Sequence, residues 1–126
     1  MISLQELARI AEIEFSDIVD TTELMGTKLR IMLTKEGFID VWVSRKLPNR
    51  FGFHWVQKST SLSYRYDNFP NTKWKYVSTY PYHFHEGSQD NVIESSQFKK
   101  DIEGGFRSFM RWVSSKLSIS TVTNQG

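Results

Sequence analysis

The chain contains no cysteine, which excludes a disulfide-stapled scaffold and any thiolate zinc or iron–sulfur centre. Three prolines and seven glycines in 126 residues are too few for collagen-like or Pro/Gly-rich disordered classes. No apolar run approaches the ~20 residues of a membrane-spanning helix. Glu6, Arg9, Glu12 and Glu14 break the opening stretch where a secretory leader needs an unbroken apolar segment. A P-loop, an HExxH helix and a GxSxG elbow are also missing. What is there has ordinary globular composition, 39% hydrophobic and 24% charged, and a length suited to about one domain. We expect one domain over residues 1–117, a flexible tail over 118–126, a cytoplasmic location and no membrane association.

The net charge of +2 hides a strong asymmetry. Residues 1–40 hold eight acidic and four basic side chains, residues 41–85 hold seven basic and one acidic, and residues 86–126 hold five of each. The basic middle third also carries all three histidines (His54, His83, His85) and 12 of the 18 aromatic residues. Cations interleaved with aromatics can neutralise phosphates and stack on bases. The same residues also make good strands with solvated charged faces, and composition alone does not choose between the two. The candidates for nucleic-acid contact are Tyr66, Asn68, Lys73, Trp74 and Lys75.

Local patterning predicts an α+β fold: an N-terminal helix, an antiparallel sheet of four to six strands, and a C-terminal helix packed on one face. Ser3 and Glu6 have capping-box spacing, and Leu4, Leu7, Ala8 and Ala11 continue as a helical stripe to about residue 14. Residues 15–25 read equally as a strand or a loop. Lys28–Thr34 and Phe38–Ser44 alternate polar and apolar around Lys35-Glu36-Gly37, which predicts a hairpin with Gly37 at positive φ. Phe51–Gln57 and Leu62–Asn68 follow as strands. Phe69–Tyr80 reads as a basic aromatic loop or edge strand, and Val92-Ile93 as a short apolar patch. A helix is predicted from about Ile102 to Leu117 with Asp101 as its cap. Its early Gly104-Gly105 pair requires close packing on the sheet.

His54, Arg65, Asp67, His83 and His85 fall on adjacent elements of this sheet. His83 and His85, two residues apart in extended chain, project to one side. Two imidazoles and a cation suit phosphodiester transfer in RNA: one His takes the 2′-OH proton, the other protonates the 5′-oxygen, and Arg65 stabilises the phosphorane charge. RNA supplies its own nucleophile, so this chemistry needs neither metal nor cofactor. Asp67 could orient a His or pair with Arg65. Two other readings stand beside it. His-x-His is a common metal-ligand pair that His54 or Asp67 could complete, giving a metal-dependent hydrolase. The histidines could also be structural, in a non-catalytic nucleic-acid-binding or regulatory module.

Phe53-His54-Trp55, Tyr64-Arg65-Tyr66-Asp67-Asn68-Phe69-Pro70 and Thr79-Tyr80-Pro81-Tyr82-His83-Phe84-His85 together resemble the TumE-like family, small prokaryotic toxins of type II toxin–antitoxin pairs. The combination of DN-x-P with P-x-H-x-H carries the resemblance, over roughly residues 28–117. It singles out His54, Arg65, Asp67, Asn68, His83 and His85. The resemblance implies a toxin acting on RNA, hence an endoribonuclease, with RNA and a cognate helix-turn-helix antitoxin as partners; a homodimer is left open. The sequence departs from the family pattern at Asn71, where the family has His directly after the proline. That removes one candidate acid/base; if that His is essential, the chain binds its target without cleaving it.

Overall fold

The computed structural model describes the backbone of residues 1–125 and the side chains of residues 1–118. Helix α1 (Leu4–Glu14) opens on the expected capping box: the Glu6 N–H donates to Ser3 Oγ at 3.1 Å and the Ser3 N–H to Glu6 Oε1 at 3.2 Å. Seven strands follow in chain order, β1 (Val19–Met25), β2 (Lys28–Leu33), β3 (Phe38–Val43), β4 (Phe51–Val56), β5 (Ser63–Asp67), β6 (His83–Gly87) and β7 (Val92–Ile93). Each pairs antiparallel with the next, so the sheet order is the sequence order. Helix α2 (Ile102–Gln125) ends the described chain. The α+β expectation holds, with one strand more than the upper end of the predicted range.

Two strands account for the difference. β1 is the ambiguous 15–25 segment, and Val92-Ile93 pairs with Phe84 and His85. Phe69–Tyr80 contributes no strand; it forms an irregular loop with a 3-10 turn at Thr72–Trp74. The helix expected to end at Leu117 continues to Gln125. Leu117 is the last described side chain in the core. Whether 118–126 is a flexible tail falls, from residue 119 on, outside the described side chains.

Alternation builds the core. Leu29, Ile31 and Leu33 of β2, Ile39, Val41 and Val43 of β3, Phe51, Phe53 and Trp55 of β4, Tyr66 of β5 and Phe84 of β6 all lie on one face. Both helices cover that face, α1 through Leu7 and Ala11, α2 through Ile102, Phe106, Phe109, Met110 and Val113. Arg107 clamps the helices together through two hydrogen bonds to Glu14, 2.9 and 2.8 Å. Full burial of each large side chain contributes about 1.5–3 kcal/mol.

Two close approaches fix the layers. Gly37 has φ +87°, and a Cβ there would sit 1.9 Å from the Val56 carbonyl oxygen, so the β2–β3 turn can lie against β4 only with glycine. The expected packing role of Gly105 is also present: a Cβ would meet Lys99 O at 2.8 Å and the Tyr66 ring at 3.5 Å. Gly104 instead donates its N–H to the Asp101 cap, 2.8 Å to Oδ2.

Candidate functional site

The other face of the sheet is polar, and its register lines side chains into two cross-strand rows. One runs Arg30, Asp40, His54, Arg65, His85 from β2 to β6; its neighbour runs Lys28, Trp42, Gly52, Asp67, His83. The row ends on β5 and β6 carry the site. His83 and His85 do share a side, and Asp67, His83 and His85 are each only 1% exposed. Trp74, from the loop between β5 and β6, packs over both rings at 6.3 and 5.8 Å between centroids. With Val77 and Val92 it forms a small apolar cluster over this end of the polar face.

The buried groups satisfy one another. Asp67 Oδ1 accepts from the Phe69 N–H at 3.0 Å and lies 3.1 Å from His83 Nε2. Asp67 Oδ2 accepts from Arg65 Nε at 2.9 Å and lies 3.5 Å from His85 Nε2. His83 Nδ1 faces the Pro81 carbonyl at 2.9 Å and His85 Nδ1 faces the Gln89 carbonyl at 2.8 Å, so both Nδ1 atoms carry hydrogen. Arg65 Nη2 is 3.1 Å from His85 Nε2. A guanidinium only donates, so in that contact His85 Nε2 is the acceptor. His83 has an oxygen acceptor facing each ring nitrogen. Burial pushes the Asp67 carboxyl up, but the hydrogen bonds from His83 Nε2 and the Phe69 N–H outweigh it and hold it well below the usual carboxylate range.

This network floors a cleft of about 620 Å³ lined by Arg65, Asp67, Phe69, Pro70, Asn71, Lys73, Trp74, His83, Gln89 and Asp90. A second cleft of about 300 Å³, between the first residues of the chain and the β1–β2 turn, holds no histidine. Arg65, Asp67 and His83 reach the main cleft, while His85 lies behind them. His54 does not join the network: Arg65 stands between it and His85 in the row. Burial and the Arg65 charge lower the His54 pKa, so it is neutral at pH 7.

The nucleic-acid candidates divide. Lys73 lines the cleft; Lys75 is exposed outside it. Trp74 lines the cleft but is 8% exposed, its ring spent on the imidazoles. Tyr66 is removed from any binding surface: it is fully buried on the core face, its hydroxyl donating to Lys99 O at 2.8 Å. Asn68 is likewise corrected to a structural latch. Its Oδ1 accepts from the Phe51 N–H at 2.9 Å and its Nδ2 donates to Asn49 O at 2.6 Å, tying β5 to the chain entering β4. Asn71 lines the cleft, with Oδ1 accepting from the Lys73 N–H at 3.0 Å. Where the family pattern has an acid/base, this chain has a turn cap. Phe69, Gln89 and Asp90 were not singled out by the sequence; only Phe69 carried a signal, beside Asp67-Asn68 and before Pro70.

A seven-stranded meander, helices on one face and an Arg–Asp–His–His network under a polar cleft on the other, defines a small α+β protein with a preorganised polar site. The family model described as Toxin TumE matches residues 4–117. The chain belongs to the TumE toxin family, which makes it a toxin of a toxin–antitoxin system with an antitoxin as partner. No curated protein and no solved structure matches it. No described helix is long and apolar enough to cross a membrane.

Proposed function

We propose that the toxin acts on RNA at this cleft as a metal-independent endoribonuclease. The observation that carries this reading is the charge-linked set Arg65–Asp67–His83 at the floor of a cleft whose wall holds Lys73. Arg65 and Lys73 hold the scissile phosphate. His83, its ring oriented by the Pro81 carbonyl at Nδ1, takes the 2′-OH proton as that oxygen attacks phosphorus and returns it to the 5′-oxygen as the P–O5′ bond breaks. Arg65 then stabilises the charge that develops on the phosphorus oxygens. His85 is a positioning residue, holding the Arg65 guanidinium from behind.

The test is cleavage of end-labelled single-stranded RNA in EDTA. We expect a 2′,3′-cyclic phosphate product, no cleavage where the scissile nucleotide is 2′-deoxy, and a 10²–10⁴-fold slower rate for His83→Ala with RNA affinity little changed. A His83→Ala protein that cleaves RNA and arrests growth like the parent would overturn the assignment.

One observation favours a metal reading. Ligand atoms of Asp67, His83 and His85 lie within 4.8 Å of one another, and both rings are oriented through Nδ1 by carbonyl oxygens, as metal-bound imidazoles are. Arg65 already places a cation against these atoms. Activity abolished by EDTA and restored by a divalent transition metal would decide for this second reading.

A further inference from the structure

We propose that Phe69, backed by Trp42, is the stacking platform for one unpaired RNA base beside the phosphate held by Arg65 and Lys73. The proposal rests on the RNA reading above and adds where a base is held. Gly52 opens the space. In the row Trp42–Gly52–Asp67–His83 it is the one position without a side chain. A Cβ there would lie 3.5 Å from the Asp67 Cβ and 3.9 Å from the Phe69 ring. Beside Gly52 the Phe69 ring folds back over the sheet and stacks on Trp42, with centroids 5.1 Å apart and planes at 24°. Its backbone is pinned to the centre of the site, the N–H on Asp67 Oδ1 and the carbonyl accepting from the Asn71 N–H at 2.8 Å.

Phe69 is nonetheless 43% exposed, and it lines the cleft with Arg65, Asp67 and His83. A rigid, half-covered ring next to two cations matches what a nucleotide offers: a flat apolar face and, a few ångströms away, a negative charge. A cleft of about 620 Å³ is of a size to take a small ligand such as one nucleotide. Trp74, the other aromatic wall, leaves no comparable free face. The ligand class is single-stranded RNA, because a base in a duplex has both faces covered by its neighbours.

Fluorescence anisotropy with a labelled, fully 2′-O-methylated single strand reads binding without cleavage. A set of the same oligomer carries one abasic position each. For the parent protein we expect one position whose abasic form binds about 5- to 20-fold more weakly, at the lower end of base–aromatic stacking. Phe69→Leu should bind the intact oligomer weaker by a similar factor and show no further loss at that position. Phe69→Tyr should behave as the parent, and Phe69→Trp should widen the abasic penalty. Thermal unfolding reports whether each variant is folded. If Phe69→Leu keeps the parent's abasic penalty, or, should it not fold, if Phe69→Trp leaves that penalty unchanged, the platform is wrong while RNA binding stands. If the parent binds no RNA at low salt, the RNA reading falls and the platform with it.

Discussion

The end of β5 is buried on both sides, by opposite means. Toward the helices, Tyr66 lies among Phe51, Phe53 and Phe98 at ring separations of 4.8–6.2 Å. Toward the cleft, Asp67 is as deeply covered, but by His83, His85, Arg65 and a backbone N–H. Apolar burial is non-directional: it scales with area and tolerates exchange of one large side chain for another. Polar burial holds only while every donor and acceptor has its partner. Among the described residues the one buried side-chain nitrogen or oxygen without a partner is Arg50 Nε, outside this network. The core side of the strand can vary in detail; the cleft side succeeds or fails as a unit.

The largest effect should come from the apolar side. Phe53, fully buried between β4 and α2, should cost about 3–5 kcal/mol on truncation to Ala, read as a lower urea midpoint. On the polar side, Asp67→Asn should cost about 2–3 kcal/mol at pH 7, since charged hydrogen bonds contribute about 1.5–3 kcal/mol. It should also change the acid response. The folded pKa of Asp67 lies well below the unfolded value of about 3.9, so its contribution is full above roughly pH 5, begins to fall near pH 4 and is lost as the pH drops on toward the folded pKa. Urea unfolding from pH 7 to 3 should show a shallower acid loss for Asp67→Asn than for the parent; equal slopes would mean the carboxylate is not held as described. Asn68→Ala should cost about 1–2 kcal/mol by leaving the buried Phe51 N–H unpaired. Its effect on RNA affinity should be small. The smallest effect is electrostatic: Lys73→Ala should flatten the log–log salt dependence of single-strand binding by about 0.7. Lys75→Ala, outside the cleft, should change it less, which sharpens the boundary of the site.

Much of this contrast was legible in the sequence. Ser3 and Glu6 announced α1, Gly37 the hairpin, and the spacing of His83 and His85 put both rings on one side, because capping, turns and the two-residue strand period are local rules. β1 was not legible: as an edge strand it is exposed at Asp20, Thr21, Glu23, Leu24 and Met25, so burial imposed no alternation. Tyr66 and Trp74 looked like surface aromatics in a basic segment. Which face of a strand is roofed by a helix, or by a loop, depends on contacts distant in sequence. Asn68 misled for a similar reason, since its partners Phe51 and Asn49 lie across the sheet. Phe69 escaped notice because its place on Trp42, beside Gly52, is set by strands distant in sequence.

A sheet whose spatial order is its chain order also has a consequence for assembly in time. Each hairpin can close as soon as its second strand exists, without waiting for distant segments. The strands that bear the site, β5 and β6, are thus paired early, but their backs stay open. Phe98, Phe106, Phe109 and Trp112, which seal Tyr66, Phe53, Tyr64 and Phe84 from behind, all come from the last quarter of the chain. During synthesis from the N-terminus, the cleft face is drawn before it is backed. Until the final helix docks, the apolar backs of β4, β5 and β6 stay open to water or to a partner.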